Sequence, residues 1–311
     1  MKILGVLKNK SKKEDIIKTN NKLEIGIKDF LVAKATDSIC KIEKAEGTLV
    51  TIDELILINK KDFLKSFDKF ICFGNTYTFL KEFYRENIHK FIFLEGSLYE
   101  RDPYKSMKEH KYFRVMQQTH LGNDFIKKYS NNSIRNGFNF IKKSVDMNDH
   151  VLLINNDMTG ENSIDQMKPF AWLEETLNKV IKKTNRKILI RTHPNQSKIS
   201  NESVEKINNQ AKQLIALSNN KYLEEDIKKT SVAIMYSSGS CVECLLHGVP
   251  VISTDPSSYC YELFSKKLED IDNIDDIELP NIESFLSAIS NTHFTLEEIV
   301  NGDFWKIQKG L

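Results

Sequence analysis

Short apolar runs alternate along the chain with longer amphipathic stretches, and this alternation constrains the fold more than any other feature. The runs have the length of strands, and the stretches between them have helical periodicity. The chain therefore predicts an α/β fold in which helices connect parallel strands. The predicted strands are residues 2–7, 55–58, 69–73, 90–94, 150–154, 187–191, 232–236 and 249–253. The predicted helices are residues 63–70, 76–84, 172–183, 201–217 and 241–247.

A chain of 311 residues is too long for a single core and predicts two domains. A polar stretch over residues 123–148 has no strand pattern and separates two similar α/β halves. We therefore predict Rossmann-like domains over residues 1–147 and 148–290 that face a cleft, and a C-terminal helix over residues 291–311 that packs back. Thr295 and Glu298 have the spacing of a capping box that starts this helix.

The composition limits the compartment and the partners. No window approaches the roughly 18 consecutive apolar residues of a membrane span, and residues 1–13 lack the apolar core and cleavage site of a signal peptide, so we predict a cytoplasmic protein. Five cysteines, an odd number, fit a reducing compartment. Residues 1–150 hold 28 Lys and Arg against 20 Asp and Glu, and the rest hold 17 against 23. A basic first half suits a polyanion such as nucleic acid, although a solvated lysine-rich surface is the plainer explanation.

The strongest local signal is a polar turn between the predicted strand 232–236 and the predicted helix 241–247. At the carboxyl end of a parallel strand and the amino end of a helix, backbone N–H groups and hydroxyls converge on an anion. The turn predicts a phosphate or diphosphate site, although its serines could simply cap the helix. The residues of this turn, called the serine turn below, are Ser237, Ser238, Gly239 and Ser240.

A second predicted strand, residues 187–191, brings a cation and an imidazole to the same edge of the sheet. Arg191 ends the strand, His193 follows it, and Pro194 prevents its continuation. Ligands of open parallel sheets bind at this carboxyl edge. Arg191 and His193 are therefore predicted to face the serine turn, although His193 alone could be an ordinary loop residue.

Together, the segments RTHPN and YSSGSCVECLLHGVPVI resemble the nucleotide-binding half of GT-B glycosyltransferases. The resemblance is to bacterial capsule and sialic-acid transferases with a His-Pro and a Ser-Ser motif. It implies that His193, Ser237 and Ser238 hold the phosphate of a nucleotide-sugar donor, beside Arg191. Glu243 matches an acidic residue that contacts the ribose or sugar in many GT-B enzymes, although it could be a solvent-facing helix residue.

The first half contributes FIFLEGS, which is similar to the acidic-acidic-Gly motif of the same transferases. In that motif the carboxylate is the catalytic base; here Leu94 replaces the first acid and Glu95 remains beside the glycine. The segments around Arg114, His120 and Asp124 resemble phage and bacterial glycosyltransferase-like proteins. This likeness implies acceptor contacts for these three residues, although His120 and Asp124 could be ordinary loop residues or alternative bases.

Two other patterns imitate metal sites. Cys241 and Cys244 have zinc-like spacing but fall within one predicted helix without a second pair, so two buried thiols are expected. Asp270 and Asp272 lie in an acidic loop that no predicted strand presents to a nucleotide. We predict neither a metal nor a cofactor.

The resemblance implies an inverting, metal-independent glycosyltransferase with Glu95 as base and His193 at the leaving phosphate. A UDP-sugar is the favoured donor. The basic first half and the phage-like segments favour a hydroxylated base in phage DNA as acceptor, which would place the protein in the host cytoplasm. Alternatives are a capsule or lipopolysaccharide transferase that uses a CMP- or UDP-sugar, a UDP-sugar 2-epimerase, and a non-catalytic nucleotide- or DNA-binding protein.

Overall fold

The computed structural model describes residues 1–8, 26–58, 60–74, 83, 86–100, 105–118, 122–138, 149–155, 169–192, 214–256, 258–263 and 267–310. The strands of these residues are β1 (Lys2–Leu7), β2 (Glu46–Thr51), β3 (Lys69–Phe73), β4 (Phe91–Gly96), β5 (Tyr112–Gln117), β6 (His150–Asn155), β7 (Ile188–Thr192), β8 (Ile215–Leu217), β9 (Thr230–Met235), β10 (Val251–Ser253) and β11 (His293–Thr295). The α-helices are α1 (Ile27–Glu43), α2 (Ile52–Leu57), α3 (Lys60–Lys65), α4 (Gly122–Tyr129), α5 (Pro169–Val180), α6 (Leu223–Ile227), α7 (Ser240–Leu246), α8 (Glu283–Thr292), α9 (Leu296–Asn301) and α10 (Asp303–Lys309). None of the described helices is long and apolar enough to cross a membrane.

The chain forms two compact units, each with its own sheet. Unit 1 comprises Met1–His120, Lys127–Arg135 and Ser287–Leu311. Unit 2 comprises Leu121–Ile126 and Asn136–Leu286. The α/β class predicted from the alternation of apolar runs and amphipathic stretches is confirmed in both units.

The sheet of unit 1 has the strand order β11-β5-β4-β3-β1-β2. Strands β2, β1, β3 and β4 run parallel, whereas β5 is antiparallel to β4 and β11 is antiparallel to β5. Leu31 and Ile39 of α1 belong to the same buried apolar cluster as Ile3 and Ile71 of the sheet. Burial of these side chains holds α1 on the sheet.

The C-terminal segment belongs to unit 1, and it contains β11, α9 and α10 where one helix over residues 291–311 was predicted. Thr295 and Glu298 form the expected capping box at the start of α9, because each side chain accepts the backbone N–H of the other. Gly302 has a φ of 75° and joins α9 to α10. The indole N–H of Trp305 on α10 donates to the Glu43 carboxylate at the end of α1, at 2.7 Å.

The sheet of unit 2 has the order β10-β9-β6-β7-β8, and every neighbouring pair is parallel. The chain starts at the central β6, adds β7 and β8 on one side, and returns to add β9 and β10 on the other. The direction of winding therefore reverses between β6 and β9. Trp172 and Leu177 of α5 pack into one apolar cluster with Leu153 and Ile234 of these two strands.

Several local predictions were wrong. Residues 55–58 do not form a strand, because Ile52–Leu57 is helical and Thr51 with Glu54 caps it. The helix predicted over 63–70 ends earlier, at Lys65, and residues 69 and 70 belong to β3. Residues 215–217 form β8 instead of the end of a helix, while residues 201–213 lie outside the described residues. The helix predicted over 76–84 lies almost wholly outside them as well.

Candidate functional site

The winding of unit 2 defines where a ligand would bind. In open parallel sheets a crevice opens outside the carboxyl ends of the two strands between which the winding reverses. In unit 2 these strands are β6, which ends at Asn155, and β9, which ends at Met235. The serine turn follows β9, so the structure brings it to the predicted edge.

The serine turn is half-buried and leads directly into α7. Gly239 occupies the N-cap position without a side-chain cap, and the Ser238 hydroxyl accepts the Ser240 N–H at 3.2 Å. Part of the turn therefore has the local capping role that was the alternative to phosphate binding. Accepting this bond occupies a lone pair of Ser238 Oγ and leaves its O–H proton as a donor.

Arg191 lies at the same edge, at the end of β7, but its terminal nitrogens are committed within unit 2. Nη1 donates to the buried Asp226 carboxylate at 2.6 Å and to the Asn220 carbonyl, and Nη2 donates to the Lys221 carbonyl. Ser218 also donates to Asp226. This network links β7 to the segment between β8 and α6. The donor-binding role of Arg191 stays a prediction.

Two buried polar side chains at this edge were not singled out from the sequence. Asn155 ends β6 with only 1% of its surface exposed, and its Oδ1 has no hydrogen-bond partner among the described residues. Asp255 follows β10 and is fully buried. Asn155 directly follows an apolar run, which is also the signal that singled out the serine turn, whereas Ser253 and Thr254 separate Asp255 from the apolar part of β10.

The predicted base, Glu95, lies on β4 in unit 1, directly opposite Arg114 on the antiparallel β5. Their side chains form an ion pair in which Arg114 is 4% exposed and Glu95 is 19% exposed. Arg114 is in turn the register partner of His293 on β11. The structure thus aligns Glu95, Arg114 and His293 in one row across three strands, called the charged row below.

His293 is fully buried, which constrains its charge. Leu98 N–H donates to its Nε2 at 3.0 Å, and Nδ1 lies 2.8 Å from the Ile289 carbonyl. Burial, and then the positive charge of Arg114, lowers the pKa of His293 to about 3. A neutral imidazole therefore anchors the segment that follows Glu95.

The other predicted site residues are dispersed or lie outside the described part of the chain. His120 and His193 lie outside the described residues. Asp124 is exposed in the first turn of α4, and Glu243 is half-buried on α7. No described residue contradicts these assignments, and they remain predictions.

The predicted burial of the two thiols on α7 is confirmed, because Cys241 and Cys244 are fully buried. Burial raises the pKa of both thiols well above its usual range, so they stay protonated. Among the described residues there is no group of three or more His, Cys, Asp or Glu side chains that could hold a metal ion.

Two α/β units with predominantly parallel sheets and a C-terminal segment that returns to the first unit define the GT-B-like fold. No protein-family model matches the chain, and no curated protein sequence does either. The solved structure of KpsC from Thermosulfurimonas dismutans, described as a β-Kdo 2,7-transferase, is similar over 99% of both chains, with 12% identity and a TM-score of 0.50. This likeness shows the fold.

Two further structures overlap less well. A β-Kdo 2,4-transferase structure of the same KpsC matches over 87% of this chain and 94% of that chain, with 11% identity and a TM-score of 0.43. A putative UDP-N-acetylglucosamine 2-epimerase from Listeria monocytogenes matches over 92% and 93%, with 13% identity and a TM-score of 0.32. These TM-scores are too low to define a shared fold.

Proposed function

We propose that the protein is a glycosyltransferase of the GT-B type, which moves a sugar from a nucleotide donor to an acceptor hydroxyl. The observation that carries the proposal is the serine turn, which follows β9 where the winding of a wholly parallel sheet reverses. Such a position is where nucleotides bind in this class of sheet. The fold shared with a solved sugar transferase supports the assignment.

The donor would lie on unit 2, with its phosphate at the serine turn. Ser237 and Ser238 would donate hydroxyl protons to the phosphate oxygens, and His193 would add a further donor from the segment after β7. These donors act on the group that gains negative charge when the sugar–phosphate bond breaks. In many enzymes, fixed hydrogen-bond donors aimed at growing negative charge make the largest single contribution to catalysis.

The acceptor would lie on unit 1, where Glu95 supplies the base. The ion pair with Arg114 holds the Glu95 side chain in place, and a carboxylate can take a proton from an acceptor hydroxyl. As the proton passes from the acceptor hydroxyl to Glu95, the hydroxyl oxygen forms a bond to the anomeric carbon. The bond from that carbon to the donor phosphate breaks, and its electron pair leaves with the phosphate. A single displacement of this kind inverts the anomeric configuration.

Two acceptors have an observation in their favour. The fold likeness to a β-Kdo 2,7-transferase supports a sugar of a capsule or lipopolysaccharide chain. Positions 1–150 hold 28 basic and 20 acidic residues, and this positive charge supports a hydroxylated base in phage DNA as the acceptor. Binding to DNA through lysines would weaken steeply as salt rises, and a protein that binds no DNA even at low salt would favour the sugar acceptor.

Thermal unfolding against UDP, CMP, CDP and GDP tests the donor half. A nucleotide present at about 100 times its Kd should stabilise the fold by roughly 2.7 kcal/mol. Ser238→Ala should weaken this stabilisation because it removes a phosphate donor. Ser231→Ala is the matched control, because Ser231 lies near the other end of β9 and donates to the His150 carbonyl. Equal nucleotide responses in the wild type and Ser238→Ala would contradict a phosphate site at the serine turn.

Product analysis separates the remaining alternatives. A UDP-sugar 2-epimerase would convert the free nucleotide sugar without an acceptor, whereas a transferase needs one. A non-catalytic binding protein would keep every activity after Glu95→Gln. Transfer to hydroxymethylated DNA or to an oligosaccharide, followed by its loss in Glu95→Gln, would establish both the reaction and the base.

A further inference from the structure

Asn155 is a buried polar residue whose side-chain oxygen is unpaired within the described part of the chain. It is the last residue of β6 and is 1% exposed, yet its Oδ1 has no hydrogen-bond partner among the described residues. Roughly nine in ten buried polar groups in proteins are paired, so each exception needs an explanation. Retaining an unpaired acceptor lowers the stability of the folded chain.

The position of Asn155 supplies an explanation. Asn155 pairs in register with Thr192 at the end of β7, and the preceding Ile154 pairs with Met235 at the end of β9. Asn155 therefore lies beside the point where the chain leaves β9 for the serine turn. The unpaired oxygen and the reversal of winding between β6 and β9 are independent observations, and both indicate a ligand at this place.

The chemistry of the amide oxygen restricts which part of a ligand it could contact. Oδ1 only accepts hydrogen bonds, and ionised phosphate oxygens only accept them too. A ribose or sugar hydroxyl, or an N–H of the base, can donate to Oδ1. The serine turn offers the opposite polarity, because its N–H and O–H groups donate.

From this complementarity we propose that Asn155 binds the nucleoside or sugar part of the donor, by accepting a hydrogen bond from a hydroxyl or N–H group. The inference rests on the proposed function of unit 2 and deepens it. The edge then divides into a donor-rich part for phosphate and an acceptor for the neutral part of the ligand. A site that hydrogen-bonds a substrate hydroxyl or N–H discriminates strongly against analogues that lack this group.

Asn155→Leu tests the proposal because leucine has nearly the shape of asparagine and no polar atoms. Without ligand, the variant should unfold at the same temperature as the wild type or higher, since Oδ1 accepts no hydrogen bond from the described residues. Its Kd for the nucleotide that stabilises the wild type should rise about tenfold or more, as expected for a lost buried hydrogen bond. Asn155→Ala provides the same Kd measurement if the leucine variant does not fold.

Thr230→Val is the matched control. Thr230 is fully buried at the opposite end of the same sheet, and its hydroxyl is bonded to the Asp226 carbonyl at 2.8 Å and to His150 at 3.1 Å. This variant should unfold at a lower temperature and keep the wild-type Kd.

The possible failures differ in what they overturn. An unchanged Kd in Asn155→Leu, or a loss of ligand-free stability like that of Thr230→Val, overturns the role of Asn155 and leaves the proposed function standing. A wild-type protein that no nucleotide stabilises overturns the proposed function, and the assignment of Asn155 falls with it.

Discussion

Acidification should destabilise unit 1 through one residue, His293. The imidazole is fully buried between the Leu98 N–H and the Ile289 carbonyl, in register with Arg114. Burial and the charge of Arg114 lower its pKa to about 3, from 6.5 in a solvated chain. Between these two values the unfolded chain binds a proton that the folded chain does not, so stability is lost as the pH falls through 6.5.

As long as the pH stays well above 3, the size of this stability loss depends only on the pKa of His293 in the unfolded chain. A pH of 5 lies about 1.5 units below the pKa of the imidazole in the unfolded chain, and each unit changes the free energy of unfolding by about 1.4 kcal/mol. His293 should therefore remove about 2 kcal/mol of stability between pH 8 and pH 5. Below about pH 3 the folded imidazole is protonated too, and its contribution stops changing.

Denaturant unfolding of the wild type and His293→Gln at pH 8 and pH 5 measures this loss of stability. Glutamine loses the Ile289 contact and should destabilise the protein at pH 8, but it binds no proton. The gap in unfolding free energy between wild type and variant should therefore be about 2 kcal/mol smaller at pH 5. His89→Gln, in an exposed position before β4, is the control and should show no such change. A gap of equal size at both pH values would refute the assignment of a neutral buried imidazole.

Three further predictions concern the base and the C-terminal helices. Glu95→Gln should lower the rate of sugar transfer by about 10²- to 10⁴-fold, since it removes a general base, while nucleotide-induced thermal stabilisation is retained. Gly302→Ala should cost more than about 1 kcal/mol in denaturant unfolding, because φ is 75° and an added Cβ would lie 2.5 Å from Ile42 Cδ1. Gly310→Ala is its control and should be nearly neutral, since the nearest atom would lie 3.6 Å away. Thr295→Ala should cost about 1 kcal/mol by the same assay, because it removes a helix cap; no loss would show that water replaces the cap.

The parallel sheet of unit 2 was largely predictable because its strands are buried on both faces. Each strand is then a continuous apolar run bounded by polar turns, and β6, β7, β9 and β10 were all anticipated. Residues 55–58 show the limit of this signal. Their apolar run is as short as a strand, but the capping box at Thr51 and Glu54 directs the chain into a helix. Local capping therefore decided what the hydrophobic pattern left ambiguous.

The candidate site, too, was predictable from the sequence only in part. The serine turn was visible because a strand, a turn and a helix follow one another directly in the sequence. The charged row was not, because Glu95, Arg114 and His293 meet only through the register of three strands. The ion pair between Glu95 and Arg114 depends on β5 running antiparallel to β4, and β5 was not predicted as a strand.

Glu95 lies to one side of the reversal of winding in its own sheet. In unit 1 the chain adds β2 on one side of β1 and then β3 and β4 on the other, so the winding reverses between β1 and β3. Glu95 lies on β4, beyond β3. With strands about 4.8 Å apart, one and a half spacings, or about 7 Å, separate that reversal from the base. If Glu95 acts as the proposed base, an acceptor bound at the reversal reaches it through the combined length of the acceptor and the glutamate side chain.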